Sequence, residues 1–142
     1  MRPGDLDAVL ATQSESPEAA QWSRAAYERA AQGRDGWIAQ VAEAKAAVRG
    51  FFVLRHLGEE GEILNLAVTP NARRVGIGSR LLAEALQIVR SQGARRVFLE
   101  VRAGNRAAIA FYEHHGFRAC GRRPGYYCDP AEDALILALD LV

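Results

Sequence analysis

The sequence predicts an α/β fold of the mixed α+β kind, in which helices flank a single, largely antiparallel sheet. Short segments rich in apolar and β-branched residues, separated by glycine-containing turns, indicate strands. Between two of these segments the period changes to helical spacing, with one apolar stripe formed by Ile77, Leu81, Leu82, Ala85, Leu86 and Val89. Because strands flank this helix on both sides, we expect a right-handed β–α–β unit at the centre of the sheet.

Six segments are predicted as strands, at 37–43, 48–57, 62–68, 96–102, 117–123 and 134–141. Four segments are predicted as helices, at 6–13, 23–31, 77–92 and about 105–115. Ser23 is a suitable N-cap for the second helix, and Gly93 and Gly116 supply the ends of the last two. With 142 residues and no internal repeat, the chain is expected to form one domain over 1–142.

The composition is that of an ordinary soluble domain, with 49% apolar and 25% charged residues. No run approaches the roughly 18 apolar residues that a membrane helix requires, and no signal peptide is visible behind Met1. We therefore expect a cytoplasmic protein without a membrane partner. Cys120 and Cys128 lack zinc-ligand spacing and an activating histidine, so we expect free thiols, no metal and no catalytic cysteine.

The net charge of +1 conceals an asymmetry between the two halves of the chain. Residues 1–72 carry 7 basic and 10 acidic groups, and residues 73–142 carry 11 basic and 7 acidic groups. All but one of the basic residues are arginines, which suit flat, bidentate recognition of phosphates. Charge alone does not separate a polyphosphate from a nucleic acid, but the sequence has no aromatic RNA-binding motif, so we expect no direct nucleic-acid role. Arg95, Arg96, Arg118, Arg122 and Arg123 are expected to be solvated.

The stretch between the third strand and the long helix is the most informative part of the sequence. Gly76 and Gly78 remove side chains where a ligand would approach the backbone, and the helix behind them presents free N–H groups and a positive dipole end. Arg73 and Arg74 add positive charge, so a pyrophosphate fits the pattern. A plain strand-to-helix turn is the alternative explanation, and both the P-loop and the dinucleotide-binding fingerprint are excluded by missing residues.

Three polar residues downstream are candidates for chemistry. Alternation places Glu100 on the face of Phe98 and Arg102, where it is either a surface carboxylate paired with an arginine or a partly buried general base. Asn105 begins a helix and is also explained as its N-cap. Tyr112 lies two turns later, where an aromatic residue is usually part of the core. His114 and His115 end that helix, where a cation complements the dipole, and we assign them a structural role.

These motifs together resemble the GCN5-related N-acetyltransferase (GNAT) family, whose acetyl-CoA-binding motif matches Arg-Arg-x-Gly-x-Gly between the strand Asn-Leu-Ala-Val and Leu81-Leu82. The resemblance implies the GNAT fold with a central acetyl-CoA-binding β–α–β unit. It implies that Leu66, Ala67 and Val68 contact the acetyl-pantetheine end of acetyl-CoA. It further implies that the phosphates are held by Arg73, Arg74, Val75, Gly76, Ile77, Gly78 and Ser79. Asn105 would hold the pantetheine and Tyr112 would protonate the departing thiolate.

The tail Arg122-Arg123-Pro124-Gly125-Tyr126-Tyr127, the run Glu132-Asp133-Ala134 and the early Gln21-Trp22-Ser23 narrow the resemblance further. With them the sequence resembles the RimI-type ribosomal-protein-alanine N-acetyltransferases, well over 62–141 and weakly over the first third. That similarity implies Glu100 as general base, Tyr112 as general acid, and an acceptor entrance lined by Trp22, Tyr126 and Tyr127. It implies acetyl transfer to the N-terminal α-amine of a protein, and a ribosomal protein is the most specific acceptor that it suggests. Val75 and the pair Pro124-Gly125 depart from the pattern, and the second departure puts the placement of the two tyrosines in doubt.

Other functions remain open from the sequence. The acceptor is alternatively a lysine side chain or a small-molecule amine, and a different class is a non-catalytic CoA sensor. Retention of Glu100 and Tyr112 argues against the sensor. We expect a monomer or a weak dimer.

Overall fold

The computed structural model describes residues 1–73, 75–128 and 130–141. Its helices are α1 (Leu6–Ser14), α2 (Arg24–Ala31), α3 (Ile77–Ser91) and α4 (Arg106–His114). Its strands are β1 (Trp37–Ala44), β2 (Ala47–Leu57), β3 (Glu60–Val68), β4 (Arg96–Arg102), β5 (Arg118–Tyr127) and β6 (Glu132–Asp140). Single 3₁₀ turns occupy Pro3–Asp5 and Pro70–Ala72.

Every predicted helix and strand is present, and the predicted fold class is confirmed. The largest difference concerns β5, which continues through Pro124 and Gly125 to Tyr127 where the prediction stopped at 123. Its pairing with β6 shifts between Arg123 and Tyr127, and Gly125 adopts the left-handed region at φ 62°. The strand therefore contains two more residues than the facing part of β6, accommodated as an irregularity. Proline and glycine are rare inside strands, so a prediction from residue propensity ends the strand there.

The six strands form one sheet in the order β1-β2-β3-β4-β6-β5, and β3 with β4 is its parallel pair. This pair is short: Glu60 to Ile63 lie opposite Arg96 to Leu99, and the two strands then continue without pairing to each other. Beyond that point β3 pairs with β2 alone and β4 pairs with β6. The middle of the sheet therefore opens into a cleft between the carboxyl halves of β3 and β4.

A bulge in β3 lies just where this cleft begins. Ile63 pairs with Leu54 and Asn65 pairs with Val53, so Leu64 is one residue in excess. The side chain of Ile63 packs with the α3 cluster, whereas Leu64 packs on the opposite face with the α1 and α2 cluster. Leu66 then returns to the α3 face. The bulge thus reverses the alternation of side chains, so that even-numbered residues face α3 from Leu66 onward, where the strand enters the cleft.

Helices cover both faces of the sheet. Buried side chains of α3 and α4 pack on one face, with Leu82, Val89 and Tyr112 against strand residues such as Phe52 and Leu99. On the other face α1 and α2 build a smaller cluster around Tyr27 and Phe51. Among the described residues no helix is both long and apolar enough to cross a membrane.

A buried polar network fastens the segment between α1 and α2 to the bulge. Asn65, 5% exposed, donates through Nδ2 to the Ala20 carbonyl at 2.9 Å and to the Tyr27 hydroxyl at 3.0 Å. The Tyr27 hydroxyl donates to Oε1 of Gln13, and burial raises the pKa of Tyr27 to about 12, against the lowering effect of Asn65. Because the phenol stays protonated, the network keeps its donor at neutral pH and holds this segment beside the cleft.

Candidate active site

The gap between β3 and β4 has a free backbone edge on the β3 side. Leu66, Ala67 and Val68 pair with β2 along one edge, and no strand among the described residues pairs with the other edge. Ala67 and Val68 are buried, and the side chains of Leu66 and Val68 pack against the α3 cluster. Because only alternate residues of a strand direct their main-chain groups to a given edge, part of this stretch presents unpaired main-chain groups to the cleft, and the Val68 carbonyl accepts from Arg73 Nε. Such groups require a hydrogen-bonding partner, either water or a ligand.

The amino-terminal end of α3 stands at the end of β3 and is open. Its N-cap is Gly76 in the left-handed region at φ 84°, so no side chain caps the helix, and its first turn carries no acidic residue. The first N–H groups, those of Ile77, Gly78 and Ser79, therefore lack the usual internal partners. Open N–H groups and a positive dipole end are the features that the sequence analysis requires of an anion site.

Arg73, which is predicted to hold a phosphate, makes contacts within the protein instead. Arg73 is turned toward the other side of the loop: it donates to the Val68 carbonyl at 3.1 Å and to Ser16 Oγ at 2.9 Å, and it pairs with Glu18 at 3.4 Å. It thus ties the loop to the segment between α1 and α2. Val75 is 64% exposed. Arg74, the other predicted phosphate ligand, lies outside the described residues.

Helix α4 presents the next two predicted residues. Asn105 is its N-cap and accepts from the Ala108 N–H through Oδ1 at 3.2 Å, which leaves its amide nitrogen for another partner. Tyr112 is 8% exposed, with its ring edge-on to Phe111 and Phe117. Burial raises the pKa of the Tyr112 hydroxyl well above its usual value. At neutral pH this phenol is therefore a hydrogen-bond donor.

Glu100 lies on the opposite face of β4 from the α3 cluster, as its alternation predicts. Its side chain is 18% exposed and forms an ion pair with Arg123 Nε at 3.0 Å. The Tyr126 hydroxyl faces the same carboxylate, which raises the pKa of Tyr126 through hydrogen bonding and negative charge. Arg123, expected to be solvated, is half exposed and also stacks on the Tyr126 ring at 5.5 Å. Glu100 is thus partly buried and paired with an arginine, and its role as general base stays a prediction.

Glu62 is the site residue that sequence reasoning missed. It stands opposite Phe98 in the parallel pair, one alternation before Glu100 on the same face of the sheet. Although Glu62 keeps an exposed surface, partial burial raises its pKa, and the charge of Glu100 adds to the rise while Arg123 and Arg55 oppose it. The carboxylates of Glu62 and Glu100 therefore lie near each other at the entrance of the cleft. Only the register of β3 against β4 would have revealed it.

The adjacent acids Glu132 and Asp133 hold the two turns that flank Glu100, one before Asn105 and one at Gly125. Glu132 accepts from the Gly104 N–H at 2.6 Å and from Arg102 at 3.3 Å, and so holds the turn that leads into Asn105. Asp133 accepts from the Gly125 N–H at 2.9 Å and from Arg122 at 2.7 Å. These contacts lower the pKa of Asp133, with the Gly125 hydrogen bond as the first cause.

The predicted acceptor residues are separated by the structure. Tyr126 is exposed beside Glu100, while Tyr127 packs its ring under the Arg102 guanidinium at 4.3 Å. Trp22 lies elsewhere, stacked on Tyr27 at 5.4 Å and edge-on to Trp37 at 5.9 Å. There it lines a cavity of about 550 Å³ beside α2. Of the three, Tyr126 is thus the one placed against the predicted base.

A metal centre is not formed by the residues that the structure describes. They contain no group of three or more His, Cys, Asp or Glu side chains able to hold a metal ion. Cys120 and Cys128 are free and exposed.

Comparison with known proteins agrees with this geometry. Residues 6–117 match the profile of the Acetyltransferase (GNAT) family. The [ribosomal protein bS18]-alanine N-acetyltransferase of Escherichia coli strain K12 is 39% identical over 93 residues, which is 64% of this chain and 63% of that enzyme. The chain is thus matched to somewhat less than two thirds of its relative's length.

Two solved structures extend the comparison. The crystal structure of the Escherichia coli ribosomal-protein-S18-alanine N-acetyltransferase superposes with a TM-score of 0.83 at 32% identity, over 99% of this chain and 90% of that one. A putative streptothricin acetyltransferase from Bacillus anthracis, in complex with acetyl coenzyme A, superposes with a TM-score of 0.70 at 28% identity, over 75% of this chain and 63% of that one. Since the family profile covers most of the chain, the protein belongs to the Acetyltransferase (GNAT) family.

Proposed function

We propose that the protein is an acetyl-CoA-dependent N-acetyltransferase that modifies the N-terminal α-amine of a protein. The observation that carries the proposal is the cleft itself. The unpaired edge of β3 leads to the uncapped start of α3, and Glu100 lies at the entrance of the cleft. The complex of the Bacillus anthracis relative with acetyl coenzyme A supports the choice of acyl donor. The alanine-specific Escherichia coli relatives support the α-amine as acceptor, and make a ribosomal protein the leading candidate.

Binding of the donor falls to main-chain groups. The N–H groups of Ile77, Gly78 and Ser79 would hold the diphosphate, and the free edge of β3 would pair with the amides of the pantetheine arm. Asn105 would contribute its free amide nitrogen from the other wall. A backbone N–H near Ala67 or Val68 would stabilise negative charge that develops on the acetyl oxygen.

Glu100 acts on the acceptor. An incoming α-ammonium would displace Arg123 as the cation beside Glu100, and the carboxylate would then remove its proton, directly or through a water molecule. Glu62 adds a second negative charge that favours an ammonium at this mouth. Tyr112, which burial keeps protonated, would donate to the sulfur of the departing CoA. Holding both reactants in one cleft supplies acceleration through proximity.

An acceptor panel tests the proposal. The protein would be incubated with acetyl-CoA and alanine-initiated peptides, including the N-terminus of bS18, beside internal-lysine peptides, polyamines and streptothricin-type amines. Release of free thiol reports turnover, and mass spectrometry locates the acetyl group. We expect the largest kcat/KM with an alanine-initiated peptide. Preference for a lysine or a small amine would reject the acceptor assignment, and CoA binding without thiol release would identify a sensor.

A further inference from the structure

We propose that the cavity beside α2, lined by Trp22 and Trp37, binds an aromatic side chain of the acceptor polypeptide a few residues after the reacting α-amine. The inference rests on the proposed function and adds to it a second specificity site, remote from the predicted base. The structure separates Trp22 from Glu100, and an extended acceptor chain that contacts both residues accounts for this separation.

A row of side chains on one face of the sheet connects the entrance of the cleft with this cavity. Glu62 pairs with Arg55 on β2, and Arg55 pairs with Trp37 on β1. Direct cross-strand partners project from the same face, and Trp37 packs with the α1 and α2 cluster, so the row lies on the face that carries Glu100. Glu62 is exposed, and Arg55 and Trp37 are partly exposed. The sheet therefore offers an accessible path from the predicted base to the cavity.

The length of this path determines which acceptor residue reaches the cavity. Phe98, Glu62, Arg55 and Trp37 stand opposite one another on four successive strands, and Glu100 lies two residues beyond Phe98. Neighbouring strands lie about 4.8 Å apart and each strand residue advances the chain by about 3.3 Å, so about 16 Å separates Glu100 from Trp37. An extended chain covers that distance in about five residues.

The walls of the cavity suit an aromatic ring. The rings of Trp22 and Trp37 lie edge-on at 5.9 Å, and Trp22 also stacks on the buried Tyr27 at 5.4 Å. Arg55 packs over the Trp37 ring at 5.2 Å and donates through Nε to the Asp35 carbonyl at 3.2 Å. Both tryptophan rings are thus held in place by the protein, and a further ring would join them in the edge-on or offset arrangement that aromatic side chains prefer.

Polar groups at the rim are available to the main chain of the acceptor. Arg29 and Arg34 line the cavity, are exposed, and form no ion pair with any residue that the structure describes. Their N–H groups suit the carbonyl oxygens of an extended chain, and the Asp35 carboxylate on the same rim suits its N–H groups. A free aromatic molecule would use the rings alone, whereas a polypeptide also uses this rim and the path to Glu100.

Alanine-initiated octapeptides test the inference. A single phenylalanine would be placed in turn at each position from 2 to 7 of an otherwise glycine and serine sequence, with leucine at the same position as the matched control. We expect kcat/KM to rise about tenfold with phenylalanine at one position between 4 and 6, mainly through a lower KM, as one buried aromatic contact provides. An alanine-initiated tripeptide, too short to reach the cavity, gives the reference activity.

Variants of α2 separate this role from a structural one. Ala26→Phe fills the cavity, whereas Ala25→Phe adds the same ring to the exposed face of the helix. Ala26→Phe should lose the preference for phenylalanine and keep kcat/KM for the tripeptide within about twofold, and Ala25→Phe should retain both. Trp37→Leu, which removes a ring instead of adding one, should behave like Ala26→Phe. Circular dichroism and melting curves establish that each variant is folded.

The outcomes distinguish this inference from the proposed function. A wild-type protein without a preferred position for phenylalanine, or a preference that persists in Ala26→Phe, would overturn the inference and leave the proposed function intact. An equal loss of activity toward the tripeptide and the octapeptides in Ala26→Phe would also overturn it, because the cavity would then have only a structural role. A wild-type protein that acetylates no alanine-initiated peptide would overturn the proposed function, and this inference with it.

Discussion

On the proposed cofactor side of the cleft, the protein offers main chain: the free edge of β3 and the uncapped start of α3. On the proposed acceptor side it offers charged side chains, with Glu62, Glu100 and Arg123 from three different strands. Both of these main-chain features lie within one stretch of chain, 65–79. The acceptor side requires that β3, β4 and β5 each be in the correct register.

This difference predicts how each side responds to substitution. Main-chain donors survive replacement of the side chain they belong to, so the cofactor side should be sensitive to bulk and insensitive to charge. The charged cluster should behave in the opposite way, because removing one member leaves its partner unpaired in a partly buried place.

The largest expected effect follows Glu100→Gln. This change removes the proton acceptor and keeps the size of the side chain, so kcat should fall by about 100-fold or more. The dissociation constant of CoA should stay within about twofold, since the donor is held elsewhere. Steady-state kinetics and calorimetry provide the two readings. Glu84→Gln, on the exposed face of α3, is the matched control, and equal kcat in both variants would reject Glu100 as the base.

Replacing a glycine by a large residue tests the proposed cofactor side of the cleft. Gly78→Leu places a large side chain against Phe111 at the open helix end, and affinity for CoA should fall at least about tenfold. Val75→Ala, by contrast, changes an exposed side chain in the same loop and should leave the dissociation constant unchanged. Equal losses in the two variants would show that side chains rather than main-chain groups bind the ligand.

A smaller effect should separate the two acids that begin β6. Asp133→Asn loosens the Gly125 turn and Arg122, and with them Tyr126, so the KM of the acceptor should rise by about threefold at unchanged KM for acetyl-CoA. Glu132→Gln loosens the turn before Asn105 and should raise the KM of acetyl-CoA instead. The assignment fails if both variants change the same KM.

The smallest effect concerns stability and its pH dependence. The pKa of Glu62 is raised in the folded state, so its charged form is disfavoured there. The resulting loss of stability is absent below the ordinary pKa of 4.5, grows as pH rises from 4.5 to the folded-state pKa, and is complete above that pKa. Glu62→Gln should therefore raise Tm by about 1 °C at pH 7, a modest figure because the group is partly solvated. At pH 4 the two melting temperatures should coincide in scanning calorimetry, whereas a gain that persists there would contradict the electrostatic cause.

Local patterns could predict one side of the cleft and not the other. The period change at 77–92 and the glycines before it depend on neighbours in sequence, and they identified the open helix end. The pairing of Arg123 with Glu100 depends on β6 lying between their strands, which no local signal records. Arg73 shows the same limit, since its charge suggested a phosphate ligand whereas its reach to Ser16 and Glu18 depends on how a distant segment folds back.

The extra residue at Leu64 divides one strand into two segments with opposite phase. Deleting it would only make the strand regular, because Ile63 and Asn65 already pair with adjacent residues of β2. Inserting one residue after Asn65 would instead turn Leu66 and Val68 toward α1 and α2 and aim Ala67 at α3. Large side chains would then be forced into the smaller cluster and a void would open under α3. A one-residue insertion after Asn65 should thus do more harm than most substitutions along the strand, and the phase of residues 65–68 is as much a part of the site as the residues themselves.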